Sequence, residues 1–192
     1  GLAQMEFDLA RSLLGSRLKD LRTVIAYLRT RPELDGRRIA VWGDSFSPAN
    51  PSPLYLDEIE SEAGPQVQYR ADPSGAHLAL LAGLYEPDVR AIAARGGLTG
   101  YLAILEDAFT YVPLEAVVLG ILKAGDIADI ASALAPRSLA LEGMVNGRNI
   151  QPDTAGIKSA FEPAFRAYSQ ANAAERLSIQ RPSGNMAAWL AA

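Results

Sequence analysis

Residues 37–50 read RRIAVWGDSFSPAN, and the interpretation of this stretch decides the fold. Ile39, Ala40, Val41 and Trp42 form an unbroken apolar run, the pattern of a short strand inside a sheet. The run empties into Gly43-Asp44-Ser45-Phe46-Ser47, a group rich in turn formers. A strand that runs through a glycine into a serine can hold a hydroxyl at the rim of a sheet, where it is available as a nucleophile, and the backbone N–H of the next residue, Phe46, can then face a developing oxyanion. The same letters also describe an ordinary turn serine.

Outward from this stretch, the chain alternates between two periodicities. Upstream, apolar residues at Phe7, Leu14, Leu18, Leu21, Ile25 and Leu28 predict a helix over residues 4–30, which Pro32 ends before the Asp35-Gly36 turn. Downstream comes a proline-rich and then acidic stretch, residues 48–72, read as an insertion; its last residues, 67–71, are expected to form a short strand. SGAHLALLAGL, residues 74–84, is an apolar helix, and residues 89–94 are a strand leading into Gly96-Gly97. Helical character follows over residues 101–108, and residues 126–134 form a helix opened by Asp126, an acid placed where free N–H groups and the helix dipole favour one. A strand at 138–143, one helix over 152–172, a strand at 177–180 and a closing helix over 186–190 complete the order. Strands separated by helices of this length pair in parallel with helices packed on the faces. The expected fold is α/β, a three-layer sandwich around a mostly parallel sheet, in a single domain spanning residues 1–192.

Composition narrows the function classes. Of the 192 residues 49% are apolar, and the formal charge is −4, with no basic patch of the kind that tracks phosphates, so a nucleic-acid partner is not expected. Cysteine is absent, which removes disulfides, thiolate metal sites and a cysteine nucleophile together. The single histidine leaves any metal site to carboxylates, and no acid spacing suggests one, so neither a metal nor another cofactor is expected. No apolar run reaches the roughly 18 residues a membrane helix needs, so no membrane partner is expected. The opening GLAQMEFD lacks the form of a secretory leader and reads as the start of a fragment, which leaves the compartment unassigned.

Few side chains are candidates for chemistry. Ser45 is the first. Ser74, in DPSGA, is a competitor at a second turn-to-helix junction, although a serine before a helix is most often a cap. His77 is the one imidazole, and it is the base by elimination if the chain runs serine chemistry alone. Against that, its helical neighbours Leu78, Leu80 and Leu81 describe a packed position. Asp126 and Asp153 stand at helix starts as caps, and Asp129 lies within the first turn after Asp126. Gly96-Gly97 and Gly147 make no nucleotide fingerprint.

In order and spacing, LRTVIAYLRTRPELDGRRIAVWGDSFS, GAHLALLAGLYEPDVRAIAARGGL and LAPRSLALEGMVNGRN resemble the second half of an α/β-hydrolase, with the acetyl-xylan-esterase-like and dienelactone-hydrolase-like members nearest. The resemblance covers about residues 10–190 and implies a shortened α/β-hydrolase-like fold. It further implies a carboxylic ester hydrolase of small, acetyl-type esters, with Ser45 as nucleophile, Phe46 N–H as an oxyanion donor and His77 as the default base. The sequence departs from the family in four places. Ser47 replaces the last glycine of the elbow, the insertion follows the elbow, Asn146 stands where the acid is expected, and SIQRPSGNMAAW holds no histidine. These departures imply the alternative of a catalytically degenerate binding or assembly module. GDSFS also resembles the serine block of GDSL hydrolases, but that family's Asp-x-x-His and Gly-x-Asn-Asp blocks have no match. The family's first-half strands have no counterpart, so an uncovered strand at 38–42 is expected to pair through a homodimer or larger oligomer.

Overall fold

The computed structural model describes residues 12–52, 68–106, 109–180 and 189–190. It contains a four-stranded sheet, β1 (Ala40–Gly43), β2 (Ala91–Arg95), β3 (Ser138–Glu142) and β4 (Leu177–Gln180), ordered β1-β2-β3-β4 with every neighbouring pair parallel. Parallel neighbours need long crossovers, and these carry the helices. In chain order they are α1 (Leu13–Arg29), α2 (Ser74–Tyr85), α3 (Leu102–Leu105), α4 (Ile127–Ala133), α5 (Thr154–Ala160) and α6 (Glu162–Gln170).

The alternation of side chains along the strands assigns the faces. Ile92 and Ala94 of β2, with Leu139 and Leu141 of β3, turn towards Leu80 of α2, Ile127, Ala131 and Leu134 around α4, and Phe161 and Tyr168 at α6. Ala93 and Ala140 point the other way, where Trp189 and Leu190 pack on them. Helical residues therefore lie on both faces of the sheet, and the α/β sandwich is the one that the strand–helix alternation predicts. Each fully buried Phe or Leu here contributes about 1.5–3 kcal/mol of transfer free energy.

Helix α2 is apolar on nearly every side because it is enclosed by β1 and β2 below, α1 on one flank and α4 on the other. Gly83 lets it close on β2, since a Cβ there would stand 2.7 Å from Ile92 Cγ1. Helix α1 starts at Ser12, whose hydroxyl accepts from Gly15 N–H at 3.0 Å. It is pinned to the end of α2 by Arg22 and Arg29, both paired with the largely buried Glu86 at 2.6 and 2.7 Å. These cations hold the Glu86 carboxyl below the usual range against the opposing effect of burial.

The structure departs from the sequence expectation in three places. Residues 68–71 form no strand: Ala71 N–H donates to Tyr111 O, and Tyr69 N–H donates to Asn50 Oδ1. The helix expected over 152–172 is two helices, broken at Phe161, because Pro163 has no N–H to continue the first one and sits instead in the opening turn of α6. The helix expected over 101–108 is the single turn α3, with residues 107–108 outside the described set. Residues 113–123 hold two short 3₁₀ turns.

Candidate functional site

Ser45 follows β1 directly, and the backbone around it is tightly packed. A Cβ on Gly43 would stand 1.8 Å from Gly75 O, and one on Gly75 would stand 2.4 Å from Asp44 O. The exit of β1 thus touches the first turn of α2 backbone to backbone, which two glycines make possible. On the other side, Gly96 ends β2 with φ +68°, and a Cβ there would stand 2.3 Å from Ser45 Cβ. Ser45 Oγ is engaged locally, within 3.3 Å of Ser47 O and accepting from Ser47 N–H at 3.2 Å. Its own N–H donates to Asp44 Oδ1 at 2.9 Å. Phe46 N–H donates to Asp72 Oδ2 at 3.4 Å, while the Phe46 ring is 93% exposed. The N–H that the resemblance casts as an oxyanion donor therefore faces a carboxylate.

His77 occupies a different environment. It is 1% exposed on α2, and both ring nitrogens have partners. Nε2 accepts the N–H of Leu98 at 3.3 Å, and Nδ1 lies 3.3 Å from the hydroxyl of Tyr101, which itself donates to Ala116 O at 2.8 Å. Because the Tyr101 proton is used on Ala116, Tyr101 Oη is the acceptor and Nδ1 carries the imidazole proton, which leaves Nε2 free to accept from Leu98. Burial lowers the His77 pKa to about 4, with the charge of Asp126 opposing the shift. Burial, and then the same charge, raise the Tyr101 phenol. A general base for serine chemistry works best with a pKa near the operating pH, and a neutral imidazole with pKa about 4 is far below that. The hydrogen bonds around Ser45 and those around His77 have no atom in common.

Asn146, at the expected acid position, is turned into its own loop. Its Oδ1 accepts from Arg148 N–H at 3.0 Å and Ile150 N–H at 3.1 Å. Asp126 caps α4: its carboxylate accepts from Ile127, Tyr101 and Leu102 N–H, and Asp129 returns the capping box by accepting from Asp126 N–H at 2.7 Å. Asp153 caps α5 through Gly156 N–H at 2.7 Å. Ser74 lies in the first turn of α2 with a buried hydroxyl that has no partner among the described residues. Asn146, Asp126, Asp129, Thr99 and Glu106 line a cleft of about 610 Å³ next to the loops that leave β2 and β3. Among the described residues no group of His, Asp and Glu is placed to hold a metal ion.

Two arrangements near Ser45 had no counterpart in the sequence reading. At the ends of β2 and β3 the Arg95 guanidinium spans Glu142 Oε2 at 3.0–3.1 Å and Asp44 Oδ2 at 3.2 Å, while lying 5.3 Å from the centre of the Trp42 ring. Gln180 donates to the other oxygen of Glu142 at 3.2 Å, so one buried carboxylate joins the ends of three strands to the Ser45 turn. Asn50 and Asn149 form the second arrangement. Asn50 Nδ2 donates to Tyr69 O and Arg148 O, and Asn149 Nδ2 donates to Pro48 O and Tyr69 O. These bonds tie the described flanks of the 48–72 stretch to the loop after β3, at the C-terminal ends of the strands. The sequence signal for the first was faint: Arg95 and Glu142 each end a strand on the same face.

No protein-family model and no curated protein matches the chain. Among solved structures it is similar to the glucuronoyl esterase catalytic domain from Hypocrea jecorina, at 12% identity and a TM-score of 0.41, over 56% of this chain and 35% of that one. It is similar also to a glucuronoyl esterase of carbohydrate esterase family 15 from Caldicellulosiruptor kristjansonii, at 15% identity and a TM-score of 0.40, over 70% of this chain and 45% of that one. The chain thus spans less than half the length of either structure, and likenesses this slight say nothing of its chemistry.

Proposed function

We propose that this chain is an α/β-hydrolase-like binding or assembly module whose serine turn does not complete ester hydrolysis with the chain's own groups. The observation that carries this is the His77 imidazole, neutral and enclosed, with Leu98 N–H on one nitrogen and Tyr101 on the other. The capture of Phe46 N–H by Asp72 and of Asn146 Oδ1 by its own loop supports the same reading. An oxyanion forming on Ser45 would meet Asp72 where it needs a donor.

A second reading, hydrolysis of small acetyl-type esters through Ser45, rests on one feature: Ser45 sits in a tight turn directly after β1, packed against Gly96. The experiment that separates the two is hydrolysis of p-nitrophenyl acetate and longer esters by the wild-type chain and Ser45→Ala. Equal rates, at the level of buffer plus an inert protein, are expected. A wild-type rate at least about 100-fold above that of Ser45→Ala would overturn the module reading and establish Ser45 as a nucleophile.

A further inference from the structure

β1 is the edge of the sheet, with β2 as its strand neighbour among the described residues. Ile39 C=O accepts from Arg90 N–H on the β2 side, so strand alternation turns the N–H and C=O of Ala40 and Trp42 away from β2. Beside this edge, which no described strand pairs, runs an apolar groove of about 740 Å³, whose walls include Leu21, Val24 and Ile25 of α1. It continues past Leu28 and Ile39 into a second hollow of about 360 Å³ that ends at Arg38. Val24, Trp42 and Phe46 along it are 52%, 45% and 93% exposed.

The placement of α1 explains the groove. α1 packs on α2 and shares with β1 the walls of the groove, while α2 covers β1 and β2. Packed helices lie about 8–10 Å apart and strands about 4.8 Å apart, so α1 overhangs the place where the next one or two strands would lie. Its apolar residues Leu21, Val24 and Ile25 line the groove beside that place. We infer that the β1 edge is a docking site for an extended polypeptide segment of a partner, added to the sheet as a strand beneath α1, with apolar residues alternating along it and an acidic residue at the end beside Arg37 and Arg38. The acidic end follows from charge. Arg38 lines the foot of the groove and is exposed, as is its neighbour Arg37, and the Asp35 carboxylate there is turned onto Arg37 N–H, whereas Asp44 at the top is already paired with Arg95.

A second copy of the chain is the less favourable occupant. If two β1 strands paired about a twofold axis, the partner's second helix would cover its own β1 on the same face, in the volume that α1 holds. The incoming strand has to be bare on that face, as an extended peptide is. This docking stands independently of whether Ser45 turns over an ester.

The test uses a short synthetic peptide of alternating threonine and valine with glutamate at both ends, beside the same peptide with lysine at both ends. Binding is followed by titration, and by hydrogen exchange at the Ala40 and Trp42 amides. In the free chain these two amides are expected to exchange fast. The glutamate peptide is expected to slow them and to bind at least about 10-fold more tightly than the lysine peptide, and Arg38→Glu is expected to reverse that order. Ala40→Pro, which removes an outward N–H at an edge position where proline is tolerated, is expected to abolish binding. Val24→Glu, at an exposed wall position, is expected to do so with the melting temperature unchanged. Absence of protection at millimolar peptide would overturn the proposal, as would equal binding of the two peptides or undiminished binding to Val24→Glu. Slow exchange in the free monomer would show the edge covered by the chain itself, and slow exchange that appears only with dimerisation would show a second copy there; either result overturns it too.

Discussion

The Ser45 turn and the His77 pocket lie at the two ends of one strand-to-helix connection, and they satisfy their polar groups in opposite ways. Around Ser45 the contacts are partly exposed: the hydroxyl with Ser47 in its own turn, Phe46 N–H with Asp72, Asp44 with Arg95. Around His77 they are buried, and they link three separate segments through Leu98, Tyr101 and Ala116. On the proposed reading, a serine and a histidine that look like partners in sequence perform different tasks. The serine closes a turn at the sheet rim, and the histidine pins the loop after β2 to the core. Polar groups in a low-dielectric core are costly to leave unpaired, so the two regions should differ sharply in their response to substitution.

The largest effect is expected at Tyr101, which is 5% exposed. Tyr101→Ala removes a buried ring and leaves both His77 Nδ1–H and Ala116 O without their partner, at a cost of about 3–5 kcal/mol in urea unfolding. A loss under about 1 kcal/mol would mean that the pocket is less tightly joined than its hydrogen bonds indicate. Arg95→Leu comes next. It removes the guanidinium from the Glu142 carboxylate, whose side chain is 2% exposed, and a loss of about 3 kcal/mol is expected. Because Arg95 also holds Asp44, the same variant should loosen the Ser45 turn, read as faster amide exchange at Ser45 and Phe46.

A pH titration of stability sharpens the contrast. The folded pKa of His77 is about 4, below the ordinary histidine value of 6.5, so the unfolded chain takes up the proton first. The contribution from His77 is fully present above pH 6.5 and is lost as pH falls towards 4, up to roughly 3 kcal/mol in all. His77→Gln keeps an acceptor for Leu98 but does not titrate, so its stability should fall less than the wild type's over that interval. Parallel pH profiles in the two proteins would place His77 in contact with water. The smallest change is expected for Ser45→Ala, within about 0.5 kcal/mol, since the hydroxyl serves a local turn only.

The parts of this molecule that were legible in sequence are those set by near neighbours in the chain. The Asp126 and Asp153 caps depend on N–H groups one to three residues on, and both are found. The strand at residues 138–143 and the apolar helix at 74–84 follow from local composition and length, and both recur within a residue or two. The break at Phe161 was also local in cause, yet the regular spacing of Phe161, Phe165 and Tyr168 concealed what Pro163 would do. Other features depend on which segments meet. Arg95 finds Glu142 through the β2–β3 register, and Tyr69 runs beside Asn50 instead of forming a strand. The apolar neighbours of His77 pointed to a packed position, but no pattern along α2 indicates that the loop at Leu98 will deliver an N–H to it, so the base role stayed open by elimination.

The central claim is that His77 is a neutral core group with its proton on Nδ1. Long-range nitrogen–proton correlation spectra of the imidazole, recorded from pH 7.5 to pH 3.5, measure tautomer and pKa together. The expected result is a single neutral Nδ1–H form that persists down to about pH 4. A proton on Nε2, or a midpoint near 6.5 that shifts in Ser45→Ala, would contradict it and return His77 to the serine.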